Sequence, residues 1–141
     1  MRLPSRAPRR VPRRVPRPPG TPGTPVGEGD PLAATGSPLR WGVVSTGKIA
    51  GVVTAQLALL EDARLQAVSS RDPAKAADFA ARFGFSSSHG DGPNGRGYEA
   101  LAADPDVDVV YVATPHGQHH AVAKTMLLAG KHVLIEKALS I

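Results

Sequence analysis

A chain of 141 residues with 41% apolar side chains holds one compact domain with little left over. It contains no cysteine, which excludes disulfide frameworks, thiolate metal sites and cysteine nucleophiles and fits a reducing, cytoplasmic setting. The net charge of +5 is unevenly placed: residues 1–40 carry eight Arg and two acids, residues 41–141 carry nine Lys or Arg and ten acids, so the basic character belongs to the first forty residues.

Ten of the 14 prolines also precede Trp41. Residues 1–38 are low complexity, Arg and Pro first, then Gly, Pro and Thr. Such a segment has almost nothing to bury and is expected to be a disordered or polyproline-like tail. A basic arm for nucleic acid is the sharper reading, but no aromatics are interleaved to stack on bases. The N-terminus has the charge of a signal n-region without an apolar segment behind it, and its prolines forbid the amphipathic helix of a transit peptide. No apolar run approaches membrane-spanning length.

The ordered pattern begins at Leu39. Residues 39–45 read as a buried strand that turns through Ser45, Thr46 and Gly47 into a helix over residues 48–60, with Ile49, Val52, Val53, Leu57 and Leu60 on one face. A second strand spans residues 65–70. Asp72-Pro73 reads as an N-cap with proline in the first turn, and Ala76, Phe79, Ala80 and Phe83 give the following helix its apolar face up to the stop at Gly84. Residues 85–97 are rich in Ser, Gly, Asn and Pro and are expected to form an exposed, mobile loop. A short helical piece follows at residues 98–101. Residues 107–113 are a nearly continuous apolar run, as in a parallel strand buried on both faces. Thr114-Pro115 repeats the cap-plus-proline signature, a helix extends to about Ala129, and a fourth strand at residues 132–135 leads to Glu136 and Lys137.

Strands alternating with amphipathic helices predict an α/β fold with a doubly wound parallel sheet of Rossmann type. Ligands of such sheets bind outside the carboxyl ends of the strands, and the chain's chemistry-bearing residues collect at those ends. The first turn reads Ser45-Thr46-Gly47-Lys48-Ile49-Ala50 against the dinucleotide fingerprint G-x-G-x-x-G/A. Gly47 stands where backbone must approach a pyrophosphate, Ala50 suits close helix packing, and Ser45 replaces the first glycine. Ser45, Thr46, Gly47, Lys48 and Ile49 are the candidates there. The end of strand two offers Ser70 and Arg71 where an NAD site places an acid. Arg71 can grip a 2′-phosphate and Lys75 can assist, which favours NADP while leaving NAD open.

His116, His119 and His120 open the last helix at spacings that raise a metal site, but no carboxylate or cysteine lies nearby in sequence to complete a ligand set. Polar lining of a cofactor cleft is the better reading, and the expected metal is none. Glu136 and Lys137 follow a buried strand at the ligand-binding edge. A partly desolvated lysine there suits proton transfer to or from the hydroxyl or carbonyl that exchanges a hydride.

Four stretches in order resemble the N-terminal half of the glucose-fructose oxidoreductase, inositol dehydrogenase and MocA (Gfo/Idh/MocA) family, in the style of its dihydrodiol dehydrogenase-like members. They are Arg40-Trp-Gly-Val-Val-Ser-Thr-Gly-Lys-Ile-Ala50, Ser70-Arg-Asp72, Asp104-Pro-Asp-Val-Asp-Val-Val-Tyr-Val-Ala-Thr-Pro-His116 and Ala129-Gly-Lys-His-Val-Leu-Ile-Glu-Lys137. The resemblance covers residues 40–141. It implies an NAD(P)-binding Rossmann domain over residues 39–141, truncated, without the α+β domain that holds substrate. It implies that Thr114, Pro115, His116 and His119 line the nicotinamide side, and that Lys137 matches the lysine of the family's E-K-P motif, assigned to catalysis or substrate binding. Ala138 stands where that proline is usual, and the Gly-rich loop near residues 90–97 is longer than usual. The implied substrate is a sugar, polyol or dihydrodiol, and the implied full-length enzyme is a homo-oligomer. The rival expectations are a dinucleotide-binding remnant that turns nothing over and a nucleic-acid binder acting through residues 1–17.

Overall fold

The computed structural model describes residues 37–139. The expected tail therefore lies, apart from Ser37 and Pro38, outside the described residues, as do Ser140 and Ile141. Five parallel strands form one sheet: β1 (Leu39–Val44), β2 (Ala63–Ser70), β3 (Ser87–Gly90), β4 (Val109–Val112) and β5 (His132–Ile135), in the order β3-β2-β1-β4-β5. Four helices connect them: α1 (Lys48–Leu57), α2 (Pro73–Phe83), α3 (Gly97–Ala103) and α4 (His119–Leu128). This is the α/β, doubly wound arrangement that the alternating pattern predicts.

Each face of the sheet has its own core. Val43, Val68, Phe85, Tyr111 and Ala113 pack with Ala50 of α1 and with Phe79 and Ala80 of α2. Val44, Ala67, Val110 and Val112 pack on the other face with Leu101 of α3 and with Val122 and Met126 of α4. Burying a side chain such as Leu101 or Met126 contributes roughly 2 kcal/mol. That contribution decides the fate of α3, whose seven residues are too few to stay helical on propensity alone.

Local chemistry explains the punctuation. The Asp72 carboxylate accepts from the Ala74 N–H at 2.9 Å and the Lys75 N–H at 3.3 Å, capping α2 at the position expected. Gly84 ends α2 in the left-handed region at φ 80°. At the amino ends of the strands, the Arg40 guanidinium makes a two-pronged contact with Asp108, 3.0 Å from Nε and 2.8 Å from Nη2, and reaches Asp106 at 2.7 Å. That cluster ties the start of β1 to the turn entering β4. Lys131 Nζ donates to the carbonyls of Asp104 and Val107 and fastens the same turn.

Four expectations are corrected. Helix α1 stops at Leu57, and its buried stripe is Ala50, Thr54 and Leu57, whereas Ile49, Val52 and Leu60 are exposed. The small side chains of Ala50 and Thr54 let the helix lie close on the sheet, which turns the larger ones outward. The segment expected as a mobile loop contains strand β3, whose Ser87, Ser88 and His89 pair with Ala67, Val68 and Ser69. Ladder hydrogen bonds form there despite a polar sequence, because the β2 edge is open beside it. The run over residues 107–113 is strand only from Val109 to Val112, with Val107 and Ala113 buried at its ends. Thr114-Pro115 does not cap a helix. A 3-10 turn (His116–Gln118) follows, and α4 begins only at His119.

Candidate functional site

A cleft of about 470 Å³ opens at the carboxyl ends of β1, β2 and β4. It sits where the chain order reverses, with β2 and β3 on one side of β1 and β4 and β5 on the other, the place where open parallel sheets receive ligands. Ser45, Thr46 and Gly47 form its floor, Ser69, Ser70 and Arg71 one wall, and Thr114, Pro115 and Gln118 the opposite wall. The structure thus brings together seven of the sequence-predicted candidates: Ser45, Thr46, Gly47, Ser70, Arg71, Thr114 and Pro115.

The floor has an unusual backbone. Ser45 lies at φ 116°, a conformation that side-chain-bearing residues rarely adopt. Its Oγ accepts from the Gly47 N–H at 3.1 Å, so the hydroxyl occupies a donor of the turn. A Cβ built on Gly47 would meet only that same Oγ, at 3.4 Å, and the space above Gly47 is otherwise open. Two buried polar atoms bordering the cleft, Ser69 Oγ and Thr114 Oγ1, lack a hydrogen-bond partner. Leaving such atoms unpaired costs about 1–3 kcal/mol each. A glycine-cleared floor, orphaned hydroxyls and the first turn of α1 together fit a polar, phosphate-bearing ligand.

The wall beyond β2 is charged. Arg71 and Lys75 line it, with Asp72 turned to its capping role. Ser70 Oγ accepts from Thr46 Oγ1 and from the Asp72 N–H, both at 3.4 Å, which joins the two turns. Four further lining residues escaped the sequence reading: Asp91, Arg96 and Tyr98 from the β3–α3 connection, and Gln118. The signal for the first three was a Gly-rich segment carrying an arginine just after a strand end, which becomes readable once β3 is known to pair with β2.

The remaining candidates are not among the residues lining the cleft. Lys48 and Ile49 are exposed on the first turn of α1. His116 is exposed and lies edge-on to His119 with ring centroids 5.4 Å apart. His119, expected as cleft lining, is fully buried: Nδ1 is 2.7 Å from the Ala138 carbonyl oxygen and Nε2 is 2.7 Å from that of Thr114. Its ring is enclosed because α4 starts there and turns it under the β5 exit. Among the described residues no group of three His, Asp or Glu is placed to hold a metal.

Glu136 and Lys137 leave the end of β5. The Glu136 carboxylate accepts from the hydroxyl of buried Tyr111, which directs it toward the sheet. Burial, followed by that carboxylate, holds the Tyr111 hydroxyl well above the usual phenol range. Lys137 is exposed and has no partner among the described residues. The Lys137–Ala138 peptide bond is cis.

Residues 39–141 match the family model described as an oxidoreductase family with an NAD-binding Rossmann fold. The chain is 42% identical over 105 residues to trans-1,2-dihydrobenzene-1,2-diol dehydrogenase of Mus musculus, covering 73% of this chain and 30% of the mouse protein. The Danio rerio protein of the same name is 40% identical over 104 residues, covering 72% and 29%. Among solved structures, a 3-ketoreductase from Actinomadura kijaniata in complex with TDP-benzene and NADP is 35% identical with a TM-score of 0.66, covering 74% of this chain and 31% of that one. The scyllo-inositol dehydrogenase from Lactobacillus casei with bound NAD(H) and scyllo-inositol is 25% identical with a TM-score of 0.66, covering 74% and 29%. The chain therefore spans about 30% of the length of the curated relatives it matches.

Proposed function

The chain belongs to the Gfo/Idh/MocA oxidoreductase family, through its NAD-binding Rossmann fold, and on that footing we propose that its cleft binds NADP in preference to NAD. The observation that carries the reading is the joining, in one cleft, of the Ser45–Gly47 turn with Arg71 and Lys75. The turn and the first N–H groups of α1 hold the pyrophosphate. Arg71 supplies a planar fork to a 2′-phosphate, where an acid would instead accept from a ribose hydroxyl. Thr114 and Pro115 bound the nicotinamide end, with His116, His119 and Glu136 shaping the ground beneath it. The bound nicotinamide supplies hydride-transfer chemistry.

Lys137 is the residue we assign to proton handling beside that end. It is exposed and free of partners in the described residues, so a substrate oxygen can reach it. The substrate class is a small sugar, polyol or dihydrodiol, which the names of the relatives support. Assembly of the full-length enzyme as a homo-oligomer and residence in the cytoplasm belong to the same proposal. No helix among the described residues is long and apolar enough to cross a membrane.

Titration of the purified chain with NADPH and with NADH, followed by nicotinamide fluorescence, tests the reading. Saturable binding that is tighter for NADPH supports it, and no fluorescence change with either cofactor sinks it. A second reading, binding without turnover, is favoured by the position of Lys137, which is not among the residues lining the cleft. Turnover of cofactor with dihydrodiol or polyol substrates separates the two.

A further inference from the structure

We infer that Arg96 is a second arm of the phosphate clamp, gripping the 2′-phosphate of NADP opposite Arg71; the inference rests on the NADP reading above and deepens it. The segment carrying Arg96 is fixed to the segment carrying Arg71 by a short chain of hydrogen bonds. The Asp91 N–H donates to the Arg71 carbonyl at 3.3 Å, and Asp91 Oδ1 accepts from the Gly97 N–H at 2.8 Å. Between these anchors Gly92 and Gly95 exchange N–H···O bonds at 3.0 and 3.2 Å, closing a tight turn. Gly95 sits at φ 128°, where glycine is at ease. The Arg96 N–H donates to Glu99 Oε2 at 2.9 Å. Gly97 lies so close to β3 that a Cβ there would come within 2.6 Å of the His89 carbonyl oxygen. The main chain of Arg96 is thereby pinned over the strand edge, and Arg96 is among the residues lining the cleft.

Charge accounting selects the ligand. Arg71, Lys75 and Arg96 line the cleft against Asp72 and Asp91, and each acid already accepts from backbone N–H groups. None of the three cations is in an ion pair among the described residues. The Arg96 guanidinium lies 6.0 Å from the Tyr98 ring centroid, at the outer limit of a cation–π contact. Unpaired cations converging on a concave surface favour a dianionic phosphate over the uncharged ribose hydroxyl of NAD.

The test uses the whole chain with R96A, R96Q and R71A. Every hydrogen bond Arg96 makes in the fold is made by its main chain, so both Arg96 variants keep the loop. Dissociation constants are measured for NADPH and NADH by fluorescence titration. We expect both Arg96 variants to weaken NADPH about tenfold, the effect of losing one charge-assisted contact, and to leave NADH unchanged. NADPH binding equal to native, or equal weakening of both cofactors, overturns the inference while the NADP reading stands. If the native chain binds neither cofactor, the reading itself falls, and with it the inference.

Discussion

His119 Nδ1 lies 2.7 Å from the carbonyl oxygen of Ala138, and the other ring nitrogen is equally close to that of Thr114. One buried ring thus clasps the loop leaving β4 to the segment leaving β5, the two segments that carry Thr114 and Lys137. Both neighbours are carbonyl oxygens, which only accept, and a neutral imidazole carries one N–H. Replacing it by alanine removes that donor and opens a cavity. H119A is expected to lose roughly 3 kcal/mol of unfolding free energy in urea titration. A loss below about 0.5 kcal/mol would show that the clasp does not hold these segments.

Ser45 at φ 116° offers a comparison in which glycine beats alanine. S45A and S45G both lose the Oγ acceptor for the Gly47 N–H, so their difference isolates the backbone. In an ordinary extended or helical position glycine is the less stable by about 0.5–1 kcal/mol. Here S45G should exceed S45A by about 1–2 kcal/mol, because only alanine retains the strain. Equal or reversed midpoints in urea would remove the strain assignment.

Asp108 governs acid behaviour at the far end of the sheet. Its hydrogen bonds from the Arg40 guanidinium hold its carboxyl below the ordinary value of 3.8. A carboxylate with a depressed folded pKa contributes stability above its unfolded pKa. That contribution is lost as pH falls from there through the folded value, since the unfolded chain takes up the proton first. Native stability should therefore fall more steeply than that of D108N below about pH 4. Parallel slopes in urea titrations from pH 5 downward would contradict the linkage.

Tyr111 governs the alkaline limb with the opposite sign. Burial and the Glu136 carboxylate raise its hydroxyl above the ordinary value of 10.0. Above that value the unfolded chain releases the proton while the folded protein keeps it, so stability declines as pH rises. The chain has two tyrosines. Alkaline titration of tyrosinate absorbance should show a late component in the native protein that Y111F lacks. Identical curves would mean that Tyr111 is not shielded.

The strand ends that frame the cleft were legible in the sequence because their signals are local. Gly47 after an apolar run, Asp72-Pro73, and Arg71 where an acid is otherwise expected each report on their own few residues. The phase of α1 was not legible, since Ile49 and Val52 are as apolar as any core residue. Only the closeness of Ala50 and Thr54 to the sheet turns them outward. β3 was hidden for a related reason. Ser87, Ser88 and His89 have no strand-like side chains, and their conformation is set by the open edge of β2. His119 was placed in the cleft by its neighbours in sequence, while its burial depends on Ala138, nineteen residues on.

The bonds between Gly92 and Gly95, and between Asp91 and Gly97, leave the turn between β3 and α3 standing on a closed base. A base of that kind uncouples what it carries from the strands below. Its tip at Pro93 and Asn94 can exchange residues without disturbing the register of β2 and β3, so the turn can change while the core stays fixed.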